Sequence, residues 1–274
     1  MEAILEEFAP ERLAAAIEES QSLFFQNLGR LSQVGVRTSE GCVVVTTGVP
    51  DPNFNGILRT HLAPELVEAA IDREVAHFAQ CGVPFYWWTG PTTAPADLGE
   101  RLRARGFVRD FAGPGMAADL RGLPPSITTP DGVTIERVAD AEALAQWVSM
   151  ALHGFGLPPE LEASLLALET GLGWSPEDAY QRFLGTFDGH PVACSSVYMG
   201  AGVAGLYTIG TIAEARRKGI GTAITLAPLL HARERGYRVG VLSASSMGEP
   251  VYRRLGFGDY CRISAYVLPG VDFR

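Results

Sequence analysis

Two stretches of this 274-residue chain read alike, and the echo constrains its fold more than any other feature. In the first, a helical run opening at Pro64 stops at Cys81-Gly82, and an aromatic strand follows over residues 83–88. A second helix over 96–105 leaves through Gly106-Phe107 into a strand over 116–120. In the second stretch, Ile220, Ala223, Ile224, Ala227 and Leu230 mark one face of a helix that closes at Gly236. A strand over 239–242, a helix over 249–255, the exit Gly256-Phe257 and a strand over 263–268 follow in the same order. The matched Gly-Phe exits favour a tandem duplication. The other explanation is the strand-helix alternation of any α/β chain.

At ~150 residues per domain, the length fits one large or two small domains. The best linker is Leu123-Pro-Pro-Ser-Ile-Thr-Thr-Pro-Asp131, with Gly132 after it. The expected division is therefore a first domain over 1–122, a linker over 123–131 and a second domain over 132–274. Before the linker, Leu13, Ile17, Phe24, Phe25 and Leu28 have helical spacing, and strands are expected over 42–47 and 55–60. After it come a strand over 133–138, helices over 141–152 and 160–169 around a glycine-rich loop at 153–159, and a hairpin over 182–199 turned at Asp188-Gly189. A strand over 203–211 leads into the glycine-bearing helix start. The fold class is α/β with mixed sheet.

Hydrophobic residues make up 47% of the chain, enough for a full core. The net charge is −9, so a nucleic-acid partner is not expected. Lys218 is the only lysine, a composition bias consistent with a GC-rich bacterial genome. Cys42, Cys81, Cys194 and Cys261 form no CxxC pair, and the five histidines have no metal spacing, so no metal is expected. Reduced thiols and an acidic N-terminus fit a cytoplasmic protein, a monomer or homodimer. Residues 191–213 carry no charge and imitate a membrane span, but Met199-Gly200-Ala201-Gly202 reads as a turn between two strands. No membrane partner is expected.

The chemistry concentrates in Thr211-Ile-Ala-Glu-Ala-Arg216-Arg217-Lys218-Gly219-Ile220-Gly221-Thr222. A strand enters a loop with two glycines, and the loop opens a helix. Free N–H groups at a helix start form an anion site. Cations at that end oppose the macrodipole, so Arg216, Arg217 and Lys218 ask for an anionic ligand. A solvated basic turn is the plainer alternative. A Walker loop is absent, and a dinucleotide fingerprint would need glycine where Ile224 stands.

Arg216-x-x-Gly219-x-Gly221 resembles the pyrophosphate loop of the GNAT superfamily, the GCN5-related N-acetyltransferases. Pro250-Val-Tyr252-Arg-Arg-Leu-Gly256-Phe257 resembles that family's late helix, and the likeness runs over residues 131–268. It implies two GNAT-like domains, each a mostly antiparallel mixed sheet flanked by helices, the first degenerate. It implies that acetyl-CoA is the co-substrate, with its pyrophosphate on the amides of 217–222 and its pantetheine near Ile209, Gly210 and Thr211. Ser245 or Ser246 stands where the family often has Asn, and Ala213 replaces a usual proline. The resemblance also implies that Tyr252 protonates the leaving thiolate. A phenol, with an ordinary pKa of about 10, carries that proton at neutral pH. Packing beside Leu255 is the other role open to Tyr252.

The implied activity is N-acetylation of a small-molecule amine by direct attack. A silent acyl-CoA-binding protein and an O-acyltransferase are the alternatives. Glu214, Tyr207 and His153 are candidates for the base. The first half has His61-Leu-Ala-Pro64 where the second has its loop, and proline there removes an amide donor. Its strand Phe85-Tyr86-Trp87-Trp88 has two possible roles, lining an acceptor cleft or filling a core.

Overall fold

The computed structural model describes residues 4–39 and 41–269. The strands are β1 (Gly35–Ser39), β2 (Cys42–Thr46), β3 (Gly56–Leu58), β4 (Tyr86–Thr89), β5 (Val108–Asp119), β6 (Val133–Arg137), β7 (Tyr180–Phe187), β8 (His190–Gly200), β9 (Val203–Thr211), β10 (Val239–Ser243) and β11 (Gly258–Val267). The helices are α1 (Pro10–Asn27), α2 (Val67–Cys81), α3 (Leu98–Ala104), α4 (Ala141–Phe155), α5 (Glu162–Leu172), α6 (Ile220–Glu234) and α7 (Glu249–Arg254).

All the strands join one mixed sheet in the order β1-β2-β3-β4-β11-β5-β10-β9-β8-β7-β6. Its pairs are antiparallel except β3 with β4 and β9 with β10. Each parallel pair needs a crossover, and each has a helix to make it, α2 in the first half and α6 in the second. The sequence echo is thus an echo of topology. The halves also interlock. β11, at the chain's end, lies between β4 and β5 of the first half, and β5 lies between β11 and β10 of the second.

Helix α1 packs across this junction, against β5, β8, β9, β10 and β11. Its Leu13 and Ile17 are buried with Ala117, Val203, Val241 and Ile263, one small core drawn from both halves. Gly205 makes the approach possible, since a Cβ there would lie 2.3 Å from Ser20 Oγ. Residues 123–131 contain no helix or strand. They are not slack, because Arg233 Nη1 donates to the carbonyls of Leu123 and Pro124 at 3.1 Å.

Three local expectations change. β1 is absent from the periodicity because Gly35-Val-Arg-Thr-Ser lies at the sheet edge with little apolar alternation. β5 and β11 begin earlier than their apolar runs, since their first residues, Val108-Arg-Asp110 and Gly258-Asp-Tyr260, are exposed or half-buried and lack a run of apolar residues. His153 belongs to the last turn of α4, which stops at Gly156 with φ 64°. Residues 191–213 form β8 and β9, turned at Ala201-Gly202, and among the described residues no helix is long and apolar enough to cross a membrane.

Candidate active site

The sheet splays open between β9 and β10. Their pairing consists of Gly240 with Ala204 and Val241 with Gly205. Beyond it, β9 stays with β8 out to Thr211, while β10 ends at Ser243. A bulge in β9 marks the opening. Cys194 faces Gly210 and Ser196 faces Tyr207, so Thr208 and Ile209 share Ser195 as partner. Thr208 sits at φ 50°, a left-handed conformation that a β-branched residue rarely adopts. Strain of this kind costs about 1–3 kcal/mol and concentrates at functional sites.

A cavity of about 450 Å³ fills the splay. Thr208 and Ile209 of β9, Leu242 and Ser243 of β10, Ser245, and Tyr252 of α7 line one part of it. Tyr252 is 8% exposed, and its hydroxyl has no hydrogen-bond partner among the described residues. Burial pushes its pKa up to about 12, so it holds its proton over the whole ordinary pH range. The ring rests over Gly248, where a Cβ would come within 2.7 Å of the ring edge and 2.9 Å of Oη.

Gly210, Thr211 and the basic loop lie at the end of β9, outside the cavity wall. Gly210 meets the last turn of α4 backbone to backbone, with a Cβ on either partner 3.1–3.2 Å from the other's Cα at Gly154. Gly219 caps α6 at φ 82°, and Arg217 is also left-handed at φ 61°. The amides of Arg217, Lys218, Gly219, Ile220 and Gly221 donate to no acceptor among the described residues. Thr222 differs, since its amide already reaches the Gly219 carbonyl at 3.1 Å. Arg216, Arg217 and Lys218 are exposed, and among the described residues none forms an ion pair. Arg216 Nε donates to the Thr211 carbonyl at 3.0 Å, and Lys218 Nζ lies 5.2 Å from the Phe187 ring. The result is a cationic cradle of unused amides at a helix start, the arrangement that binds phosphate groups.

The candidate bases separate. Glu214 is exposed in the turn before Arg216. His153 is exposed, with Nδ1 on the Ser149 carbonyl at 2.9 Å. Tyr207 is in the cavity wall, stacked on Phe24 at 4.0 Å with its hydroxyl 2.9 Å from Ser20 Oγ, and burial pushes its pKa up. The aromatic strand divides by alternation. Tyr86 and Trp88 line the cavity, while Phe85 and Trp87 fill the first half's core.

Sequence reasoning missed two acidic groups. Asp110 of β5 lines the cavity and accepts a hydrogen bond from the Tyr86 hydroxyl. Glu169 of α5 also lines it, and Arg182 Nε donates to its Oε2 at 2.6 Å. Burial pushes the Glu169 carboxyl up and Arg182 opposes that shift. Arg182 stays cationic, 4.4 Å over the Tyr180 ring. Helical spacing in α5 gave no sign that Glu169 points inward. Among the described residues no cluster could hold a metal ion.

In the first half, the place equivalent to the splay is closed. His61 bridges Ala94, Leu62 N donates to the Ala94 carbonyl, and Ala94 N donates to the Thr60 carbonyl, both at 2.9 Å.

A mixed sheet splayed beside a glycine-bearing helix start gives the chain a GNAT-like fold, and its second half is similar to the GNAT acetyltransferases. The model of the Acetyltransferase (GNAT) family matches residues 146–257. A GCN5-related N-acetyltransferase from Kribbella flavida has the same fold at TM-score 0.74 and 21% identity, covering 94% of this chain and 96% of that one. A tandem GNAT protein from the clavulanic acid biosynthesis pathway aligns at TM-score 0.53 and 16% identity, over 86% of this chain and 83% of that one. Among curated proteins, a mycothiol acetyltransferase of Actinosynnema mirum is 28% identical over 244 residues, covering 84% of this chain and 76% of the relative. Another, of Thermomonospora curvata, is 27% identical over 202 residues, covering 68% of this chain and 64% of the relative.

Proposed function

We propose that the protein transfers an acetyl group from acetyl-CoA to the primary amine of a small molecule. The observation that carries this reading is one juxtaposition. Five unused amides under three unpaired cations stand at the end of β9, and a buried, protonated, unpartnered phenol faces the splay that β9 borders. The amides of residues 217–221 would hold the pyrophosphate, and the strained bulge at Thr208 and Ile209 would guide the pantetheine toward Ser245 and Tyr252. The amine nitrogen attacks the thioester carbonyl, a C–N bond forms, the C–S bond breaks and the nitrogen gives up a proton to solvent. Tyr252 Oη protonates the departing thiolate and regains its proton from water.

Only the second half would take the co-substrate, since the first half's equivalent opening is zipped through Ala94 and its helix start carries Pro64. The sequence halves 1–122 and 132–274, joined by 123–131, would then be two GNAT copies that share β5 and β11.

The test is release of CoA from acetyl-CoA over a panel of primary amines and alcohols, beside calorimetric titration of acetyl-CoA. Turnover with amines and one site per chain support the reading. Binding with no turnover on any acceptor would make the protein a silent acyl-CoA binder, and turnover with alcohols alone would make it an O-acyltransferase. A second reading, that it acetylates the acceptor of the mycothiol acetyltransferases, is favoured by an alignment over 84% of the chain, and the same assay with that acceptor tests it.

A further inference from the structure

We infer, resting on the acetyl-transfer reading, that the acceptor is an amine with an apolar or aromatic body, not an amino sugar or a polyamine. The cavity beyond Tyr252 is walled from both halves. Phe24 and Phe25 of α1, Trp88 of β4 and Phe111 of β5 face it from one side, and Trp147 of α4 and Leu165 of α5 from the other. These side chains offer surface and few hydrogen bonds, the one open donor being Trp88 Nε1, which is buried with no partner among the described residues. Trp147 Nε1 is committed to the Ser195 carbonyl at 3.0 Å.

The polar groups of the wall are few and placed. Thr208, Ser243 and Ser245 lie at the splay, where the thioester would sit. Gln21 and Asn53 are the neutral side-chain amides of the wall, and Asn53 Nδ2 already donates to Asp51 Oδ1 at 2.7 Å. An amino sugar brings a hydroxyl at nearly every carbon, and each one that entered this space would lose water without a partner. The charged lining residues are Asp110 and Glu169, and among the described residues no cation lines the cavity. Glu169 is neutralised by Arg182, and Asp110 shares its charge with the Tyr86 hydroxyl. That is enough to draw in one ammonium, helped by the aromatic faces. It leaves a polyamine's further ammonium groups unpaired.

Phe155 extends the apolar wall to the mouth. It lines the cavity from the last turn of α4 and yet is 52% exposed, a large ring left uncovered beside an opening. An acceptor with an apolar body would cover it.

The test measures kcat/KM with saturating acetyl-CoA for n-alkylamines from ethyl to hexyl, for phenethylamine, and for glucosamine and spermidine. Each added methylene should raise kcat/KM about fourfold, the worth of one buried CH2. Phenethylamine should exceed both polar amines. A flat or falling series, or preference for glucosamine, spermidine or the mycothiol acetyltransferase acceptor, overturns the inference and leaves the acetyl-transfer reading standing. If acetyl-CoA binds but no amine of either kind releases CoA, that reading fails and the inference with it. Phe155→Ser supplies the second measurement, since a half-exposed residue can be changed without opening the core. It should raise KM for hexylamine and phenethylamine on the order of tenfold and leave glucosamine unchanged. An equal effect on both kinds of amine overturns the inference.

Discussion

Gly221 is where stability and co-substrate binding should part company. It stands in the first turn of α6 with ordinary helical backbone, and an added Cβ would meet only Thr211 Oγ1, at 3.8 Å. Gly221→Ala therefore costs the free protein no contact. It removes the backbone freedom of glycine from a helix, which is worth up to about 1 kcal/mol of added stability, or up to about 4 °C in Tm for a chain of this size. Binding should move the other way. If pyrophosphate rests on the amides of 217–221, a methyl group at Gly221 holds it off at least one charge-assisted hydrogen bond. That loss is about 1.5–3 kcal/mol, or about 10- to 150-fold in Kd. Thermal melts with and without acetyl-CoA read both effects. At 100 times the wild-type Kd, acetyl-CoA should stabilise the wild type by about 2.7 kcal/mol, and a 100-fold weaker variant by about 0.4 kcal/mol. Gly221→Asp, which brings a carboxylate to the same place, should show no acetyl-CoA shift at all. An alanine variant that melts lower without ligand would contradict the geometry at Gly221. An alanine or aspartate variant that keeps the full ligand shift would refute phosphate binding at this helix start.

Tyr252→Phe should lower kcat by about 10²- to 10⁴-fold while the Kd for acetyl-CoA stays put, and near wild-type kcat with chemistry rate-limiting would show that water protonates the thiolate. Burial raises the Tyr252 pKa to about 12, so its acid role should persist through pH 10, and a kcat profile that falls with a midpoint near 8 would exclude the phenol as donor. The same shift sets a sign for stability. The neutral phenol's contribution is complete below the free value near 10 and is lost as pH rises toward 12, so the wild type should lose more stability over that window than the Phe variant. Gly248→Ala pushes a methyl group to within 2.7 Å of the Tyr252 ring, so it should depress kcat with little change in acetyl-CoA affinity, and an unchanged kcat would mean that the ring's position does not matter.

What the sequence made legible follows from how local each signal is. The basic loop was readable because its demands, φ 82° at Gly219 and unused amides on either side of it, fall within a few consecutive residues. Tyr252 was readable for the same reason, from a helix closed by Gly256-Phe257. The cavity's far wall was not. Phe24, Trp88, Asp110 and Glu169 come from four elements spread over 146 residues of chain, and only the sheet order brings them together. Alternation in residues 85–88 did show two faces, but not which faced a core and which a cavity. The β9 bulge was hidden because Thr208 looks like an ordinary strand residue, and its φ of 50° coincides with a register shift against β8 that the sequence does not mark. The closed splay of the first half depends on a contact between His61 and Ala94, for which the intervening sequence carries no pattern.

The interlocked order leads to a last expectation, that neither half is a folding unit. A fragment of residues 132–274 keeps the loop, Tyr252 and β6 to β11, but β11 loses both neighbours, β4 and β5, and β10 loses β5. The chain would also lose Met116, Ala118 and Leu120, buried in the core that holds Ile224, Leu242 and Tyr252. Removing one such side chain costs about 2–5 kcal/mol, and a domain has only about 5–15 kcal/mol of stability, so losing a whole central strand should unfold the fragment. Exposed strand edges would then invite aggregation. Each half expressed alone should therefore be insoluble, or lack a cooperative melt and acetyl-CoA binding. Co-expressed from separate reading frames, split within 123–131, the halves should pair and recover both properties, because no strand or helix crosses that segment. A soluble fragment of 132–274 that melts cooperatively and binds acetyl-CoA would show that the second half needs neither β5 nor α1. The aromatic wall from the first half would then be an addition to a complete enzyme and not part of its fold.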